Sequence, residues 1–481
     1  MSLTGKLKKN AAYVFTGICR SLLIHGAGGC LLCFAAFYNW FPLIYSDTGT
    51  YITSGFENFA PIDRPIIYGW FIRHSSLAAS LWLTVLAQGM ILSYLIYESI
   101  RTITTRSRPY ILHFFVLGFL VLFTSISPVV SRLIPDVFAP VMMLCMFLLL
   151  FPEKRSVFTL GIISFFFLLS ASSHTSHVFI GLLLLGSISI FLIVRRLRRR
   201  TLFVSRRGLL LTWSLFLIAV LIIPLTNLFY HNKFKMSIGA QAFYLQKLHE
   251  EGIIASYLNE YCGKRNYPLC DYNNRLPWDF LWDAESPLNK ENDWEDKNGE
   301  YKRLISDILS TRAYAVKIAH KSLFNSAKIF FVFDEALNPA YDMESSPYAA
   351  MHRYFKDSGY EYLMARQQSN VLNHDRENFI QRFVIIGSLV IIAAALFAGR
   401  VRRKLSPLLA FTLLFFFTAL ISNAAVCGTL ASMSPRFQSR IAWLLPFLVL
   451  MLMHYFLSGT ILAQKIKSLF SKTAGDVQTK Q

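Results

Sequence analysis

The sequence predicts an all-α polytopic membrane protein with about ten transmembrane helices. Of its 481 residues, 54% are hydrophobic and only 16% are charged, which is too apolar for a soluble chain of this size. Several apolar segments approach the roughly 20 residues that a helix needs to cross a bilayer. The basic clusters fall between these segments, as the positive-inside rule expects of cytoplasmic loops.

The apolar segments predict the helices in chain order. The basic N-terminus precedes a long apolar stretch without a small-residue cleavage site, so we expect a retained first helix rather than a signal peptide. The short third and fifth spans leave the number open by one or two. The predicted spans are residues 21–44, 77–98, 111–127, 134–151, 157–173, 177–194, 208–227, 378–398, 407–422 and 441–458.

The charges predict which loops lie inside. Placing every basic cluster on the cytoplasmic side also puts both termini there, and the one long polar stretch, 228–377, then lies outside. That stretch has 18 Lys and Arg against 21 Asp and Glu, whereas the remainder has 30 against 7. The predicted parts are an N-terminal module of about seven spans (1–227), a mostly helical exterior cap (228–377) and a C-terminal module of about three spans with a cytoplasmic tail (378–481). The net charge of +20 therefore indicates topology, and no nucleic-acid partner is expected.

Within the cap, Cys262 and Cys270 lie eight residues apart in "CGKRNYPLC". This spacing predicts a disulfide if the compartment oxidises thiols, and two unrelated free cysteines are the alternative. Helical periodicity predicts one amphipathic helix over 238–262 and a second over 301–333, with Val316 and Leu323 toward its apolar side, and the second could lie on the membrane surface. Glu335 in "FVFDEALNP" is expected to be a solvated surface acid.

Two acids outside the cap are candidates for chemistry. Asp47 in "YSDTGTY" follows the first span, and Asp136 follows Pro135 at the start of the fourth. Acids beside a bilayer are costly, so each needs a reason. Asp47 could instead be an ordinary turn residue, and Asp136 could simply be favoured by the helix dipole.

The complementary basic groups lie in "SMSPRFQSRIAW". Ser434 and Pro435 favour a helix start there, which places Arg436 and Arg440 one turn apart on one face. A helix N-terminus with two arginines suits a phosphate, although anchoring to lipid headgroups is an alternative. Other arginines on the predicted exterior side could contribute, namely Arg64 and Arg132.

A third cluster is "SSHTSH", in which His174 and His177 would share a helix face. They could join a carboxylate around a divalent metal, Mg²⁺ or Mn²⁺, or orient a base, and polar bridging between helices is the alternative. The sequence contains no Gly-rich phosphate loop, dinucleotide fingerprint, HExxH or GxSxG motif, so nothing indicates ATP hydrolysis. An activated donor for chemistry on the outer face would therefore arrive in the membrane, as a lipid-linked phosphate.

The order of these motifs resembles the GT-C superfamily of polytopic glycosyltransferases, which use polyprenyl-phosphate sugars. The likeness lies in "YSDTGTY" after the first span, "PDVFAP" opening the fourth and "PRFQSR" before the last. It implies a catalytic first exterior loop, 45–76, with Asp47 as the base, and an assisting acid at Asp136 that orients the acceptor or holds a metal. It also implies donor-phosphate binding by Arg436, Arg440, Arg64 and Arg132, with support from His174 and His177.

The implied function is transfer of a sugar from a polyprenyl-phosphate donor to an envelope lipid, glycan or protein acceptor. It would take place on the exterior face of the bacterial inner membrane, with the cap in the periplasm. Two alternatives come from other classes. One is a transporter or flippase of a lipid-linked saccharide that uses the same arginines, and the other is a non-catalytic partner of envelope polysaccharide assembly.

Overall fold

In the computed structural model, the described part of the chain is helical and contains no β-strand. One isolated parallel bridge pairs Leu43 with Arg132. The all-α prediction is therefore confirmed for these residues. The structure describes residues 3–104, 108–152, 155–200, 204–273, 275–290, 298–335, 339–369, 372 and 374–458.

The helices before the predicted cap are α1 (Leu3–Leu32), α2 (Phe34–Asn39), α3 (Thr48–Glu57), α4 (Ile67–Ser75), α5 (Leu81–Thr104), α6 (Tyr110–Phe123), α7 (Ile126–Ser131), α8 (Phe138–Leu149), α9 (Val157–Ser172), α10 (Thr175–Leu197) and α11 (Arg206–His231). Those of the cap are α12 (Ala240–Glu250), α13 (Ile253–Tyr261), α14 (Pro287–Lys290), α15 (Asn298–Ser310), α16 (Arg312–Phe330), α17 (Ser346–Tyr354) and α18 (Ser358–Leu363). The last are α19 (Asp375–Phe397), α20 (Gly399–Arg402), α21 (Pro407–Leu430), α22 (Arg436–Ala442) and α23 (Leu444–Leu457), and short 3₁₀ turns cover Pro135–Val137 and Pro268–Tyr272.

Six helical stretches among the described residues are long and apolar enough to cross a membrane. They are α5, α10, α11, α19, α21 and the continuous stretch Arg436–Leu457. Shorter apolar helices, Cys19–Leu32, Tyr110–Phe123, Pro135–Leu149 and Val157–Ser172, fall where the first, third, fourth and fifth spans were predicted. Membrane-spanning helices are thus supported, while the count of ten and the cytoplasmic termini stay predictions.

Contacts between helices bring several basic loops to one end of the bundle. The start of α11 packs closely against the end of α8. A Cβ added to Gly208 would lie only 2.9 Å from the Leu149 carbonyl oxygen. At the same end Arg155 donates a hydrogen bond of 2.6 Å to Thr102. Helix α8, buried along its whole length, forms the centre of the core.

The cap segment consists of two packed parts. Helices α12, α13, α15 and α16 close a core of their own around Tyr257 and Leu304, and the predicted disulfide between Cys262 and Cys270 is formed in it. Helices α17 and α18 instead join the main core, through Met351 and Tyr362.

The predicted helix over 301–333 is broken into two. Thr311 separates α15 from α16. Val316 and Leu323, predicted on the apolar side, are exposed, whereas Ile318 and Ile329 are buried in the protein. Helix α16 packs along α21 so closely that a Cβ on Gly428 would lie 2.5 Å from the backbone nitrogen of Ser326.

This close approach predicts that Gly428→Ala lowers the free energy of unfolding by about 1–3 kcal/mol, because the new methyl group meets backbone that cannot turn aside. Gly387→Ala, on α19, is the matched control, since a Cβ there has nothing within 4 Å. Thermal unfolding in detergent measures both. Equal stability of the two variants would contradict the packing of α16 on α21.

Candidate functional site

The isolated bridge places the two candidate acids side by side. Leu43 donates its N–H to the Ser131 carbonyl at 2.9 Å, and Leu133 donates to the Leu43 carbonyl at 3.0 Å. Asp47 and Asp136 each follow the bridged pair by four residues. The bridge therefore aligns the first loop with the turn that opens α8.

Side chains then fix the loop around Asp47. Thr48 donates its hydroxyl to the Leu133 carbonyl at 3.0 Å and accepts the N–H of Tyr45 at 3.0 Å. From the cap, the amide of Gln367 pairs with both backbone groups of Ile44, accepting at 3.1 Å and donating at 2.8 Å. The loop is thus held from the membrane module and from the cap, and Asp47 stands at the start of α3.

Three carboxylates and three guanidinium groups alternate in one chain across the site. Its order is Asp63, Arg64, Asp47, Arg436, Asp136, Arg440. The closest N···O distances along it are 2.5, 3.1, 3.8, 3.9 and 2.8 Å. The charges balance, and the contacts are short at both ends of the chain and long on either side of Arg436.

Arg440 is the last member of this charge chain and lies at its buried end. Its side chain is 2% exposed and donates to Asp136 at 2.8 Å and to Asn423 at 2.9 Å. A further contact reaches the sulfur of Cys427 at 3.5 Å. These partners use the two Nη groups, whereas the Nε has no hydrogen-bond partner among the described residues. Because the side chain is almost fully buried, Arg440 holds Asp136 in place and is poorly accessible to a ligand.

Arg436 is the loosely held member. Its guanidinium stacks 4.4 Å from the centre of the Tyr45 ring, and its Nε has no hydrogen-bond partner in the described part of the chain. The carboxylates on either side, Asp47 and Asp136, are 3.8 and 3.9 Å away, beyond ordinary hydrogen-bond length. Arg436 therefore keeps donors that an incoming anion can use.

Asp47 is the most accessible acid of the charge chain, with 27% of its side chain exposed, against 12% for Asp63 and 8% for Asp136. Its contacts with Arg64 and Arg436 are ion pairs, and no hydrogen bond from a described side chain reaches its carboxylate. This carboxylate can therefore accept a hydrogen bond or a proton from a ligand.

Arg64 holds the other side of Asp47. Burial by itself lowers the pKa of this arginine. The neighbouring carboxylates, first Asp47 and then Asp63, raise it by more than burial lowers it, so its pKa lies above the usual range. The Arg64 guanidinium also lies 5.1 Å from the centre of the Tyr51 ring. Arg64 is thus a permanent positive charge beside the exposed acid.

Arg132 lies beside the charge chain, near Asp136, and is paired with an acid of the cap. Its guanidinium is 1% exposed and pairs with Glu335 of the cap, which also accepts a hydrogen bond from Ser439 at 3.3 Å. The expectation that Glu335 is a solvated acid was wrong, because the buried charge of Arg132 requires a partner. Arg132 therefore fastens the cap to the membrane module.

A cavity of about 310 Å³ opens next to this ion pair. Glu335 and Leu43 line it, together with the exposed aromatic side chains of Phe34, Tyr38 and Phe123. Neither Asp47 nor Arg436 is among its lining residues. The cavity therefore lies beside the Arg132–Glu335 pair, outside the charge chain, and has a largely apolar wall.

The two histidines lie close to the charge chain but do not meet a carboxylate. The rings of His174 and His177 are 5.5 Å apart, and both lie close enough to Arg440 to interact with its charge. His174 accepts the N–H of Ser176 at 3.1 Å, whereas His177 contacts the Ser170 carbonyl at 2.8 Å. They cap and pin the start of α10.

The predicted metal has no fitting ligand set here. The described residues contain no group of three or more His, Cys, Asp or Glu side chains that could hold an ion. Asp47 and Asp136 face guanidinium groups, and such neighbours repel a divalent cation. The metal requirement stays a prediction of the sequence.

Asn423 is a site residue that the sequence analysis missed. It donates to the Phe437 carbonyl at 2.7 Å and accepts from Arg440 at 2.9 Å, so it links α21 to α22. The sequence did contain a sign of this role, the amide of Asn423 within the apolar run "LISNAAVCG". Polar groups inside membrane helices usually have a partner, so this amide could have been expected to bind another helix.

The buried ion pair between Asp136 and Arg440 leads to a prediction about stability. Asp136→Asn leaves a buried guanidinium without its counter-charge, so we expect the free energy of unfolding to fall by about 3–5 kcal/mol. Glu57→Gln is the control, because its ion pair with Arg353 is exposed and worth less than about 1 kcal/mol. Thermal unfolding of the purified proteins tests this, and similar losses in both variants would contradict it.

The site thus combines a short buried ion pair, a loosely held arginine and an accessible carboxylate at one end of a helical bundle. Compared with protein-family models, curated proteins and solved structures, the chain matches none of them.

Proposed function

We propose that this chain is a membrane glycosyltransferase that moves a sugar from a polyprenyl-phosphate donor to an acceptor hydroxyl. The observation that supports this most is the pairing of an accessible carboxylate, Asp47, with an arginine that has unused donors, Arg436. An acid that accepts a proton and a cation that receives a leaving phosphate are the two groups such a transfer needs. The motif order that resembles GT-C enzymes supports the same function.

In the proposed reaction, Asp47 takes the proton of the acceptor hydroxyl while that oxygen forms a bond to the anomeric carbon. The bond between the anomeric carbon and the phosphate oxygen breaks, and its electron pair stays on the lipid phosphate. Arg436 pairs with the phosphate and thereby turns away from Asp47, which leaves the carboxylate one cation fewer and makes it a better proton acceptor. Arg64 remains beside Asp47 and keeps it oriented.

The other predicted residues take supporting roles. Arg440 positions Asp136, which faces Arg436 across 3.9 Å and orients it. The cavity of about 310 Å³ beside the Arg132–Glu335 pair has apolar walls, and we assign the prenyl chain of the donor or a lipid acceptor to it. The cap covers the start of α3, because Ser346 lies against Gly49.

We further propose that the protein lies in the bacterial inner membrane with the cap in the periplasm and both termini in the cytoplasm. Two features support this orientation. Several basic loops gather at the end of the bundle opposite the charge chain, and the cap contains a disulfide, which persists in oxidising compartments.

Asp47→Asn should reduce transfer by about 10²–10⁴-fold, because the amide cannot take the proton, while unfolding stays near wild type. Release of free polyprenyl phosphate from a polyprenyl-phosphate sugar measures turnover. Asp63→Asn is the matched control, since Asp63 contacts the same Arg64 but lies farther from Arg436, and we expect a loss below about tenfold. Unchanged turnover of the Asp47 variant would remove this residue from the mechanism.

The same assay separates the proposed enzyme from a transporter. A flippase or a scaffold would release no polyprenyl phosphate from any variant or from the wild type. Exposure of the sugar headgroup across vesicle membranes would then distinguish transport from a purely structural role.

Arg436→Gln should reduce kcat by about 10²–10³-fold, because the charge that develops on the leaving phosphate loses its counter-ion. Arg436→Lys restores the charge but not the planar fork, so partial recovery is expected. Steady-state kinetics with varied donor concentration measure both variants. If the glutamine variant raised only KM and left kcat intact, Arg436 would bind the donor without assisting the reaction.

A further inference from the structure

A second cavity, of about 300 Å³, opens at the opposite end of the bundle. It lies between α1, the end of α5 and the start of α6, and the charge chain contributes nothing to it. Its polar lining consists of Arg20, Ser21, His25, Tyr97, Arg108 and Tyr110.

The lining carries positive charge that no described carboxylate neutralises. The Arg20 guanidinium lies 4.7 Å from the centre of the Tyr110 ring, which in turn stacks on Tyr97. Glu98 is the nearby described acid, and it is engaged by Arg101 at 3.0 Å. Arg20 and Arg108 are therefore available to an anion.

A buried imidazole adds an unused hydrogen-bonding atom. His25 is 7% exposed, lines the cavity, and its Nδ1 has no hydrogen-bond partner among the described residues. Buried polar atoms are normally paired, so an orphaned one beside a cavity indicates a missing ligand or water.

The two helices α1 and α6 that line this cavity also carry exposed apolar side chains. Leu23 and Ile111, close in sequence to the lining residues, are 74% and 85% exposed, and Phe115 one turn along α6 is 60% exposed. On helices predicted to cross the membrane, such side chains contact lipid tails. An occupant with an anionic head and an apolar tail matches both surfaces, whereas a free anion matches only one.

We propose that this cavity binds the phosphate group of an anionic phospholipid in the leaflet at the basic end. Arg20 and Arg108 neutralise the phosphate, and the hydroxyl of Ser21 and the His25 imidazole hydrogen-bond to its remaining polar atoms. Basic pockets between membrane helices are suited to such headgroups, and the positive end of the α6 dipole lies at the same place. The site is independent of glycosyl transfer.

Native mass spectrometry of the full-length protein, delipidated and then titrated with phosphatidylglycerol or phosphatidylcholine, tests the proposal. We expect wild type to retain phosphatidylglycerol preferentially. Arg20→Gln combined with Arg108→Gln should weaken retention by about 25-fold, given roughly a fivefold effect for each arginine. Arg206→Gln with Arg207→Gln removes the same charge from exposed arginines at the start of α11 and should leave retention unchanged.

A substitution that keeps every charge tests the cavity itself. A Cβ on Gly17, which lines the cavity, meets nothing within 4 Å, so Gly17→Leu should fold normally and displace the lipid by filling the space. Equal loss in the two double-arginine variants, or undiminished retention in Gly17→Leu, would overturn the proposal. So would displacement of the lipid by an equal concentration of inorganic phosphate, which would indicate a free-anion site.

Discussion

The structure of the candidate site depends on one constraint, that charges removed from water must be neutralised by one another. A carboxylate or guanidinium buried alone costs several kcal/mol, and the cost falls when opposite charges alternate at short range. The chain of three acids and three arginines satisfies this constraint without a ligand. It also forces α3, the turn before α8 and α22 to meet, because each contributes charges that the others neutralise.

Although the charges alternate along the chain, the contacts between them differ in length, and this difference matters for the proposed reaction. Asp136 and Arg440 are buried and joined by a short ion pair, so they behave as scaffold. Arg436 lies between two acids at distances that allow attraction but not hydrogen bonding. It can exchange one anionic partner for another at small cost, because an incoming anion replaces a weak contact. In the proposed transfer, the donor phosphate makes this exchange and frees the neighbouring acid, Asp47, when a proton must be taken.

Much of the fold could be predicted from the sequence, because hydropathy and charge are local properties. The predicted spans coincide with apolar helices, and the disulfide follows from two cysteines eight residues apart. Pairings between distant helices could not be predicted in the same way. Arg440 and Arg436 were expected to act alike, yet Asn423 on α21 occupies only the former. The pairing of Arg132 with Glu335 joins residues 203 apart, which no sequence spacing shows.

The positive charges of the arginines are neutralised in different ways at the two ends of the bundle. At the end with the charge chain, every arginine described above has a carboxylate partner, so a ligand must compete for it and specificity can follow from that competition. At the other end, Arg20 and Arg108 have no such partner among the described residues, and in our proposal the phosphate of a lipid supplies the balance. A competitive site suits the proposed turnover, since the product phosphate would be displaced when the internal ion pairs re-form. An uncompensated site suits stable occupancy, since nothing within it replaces the anion that leaves.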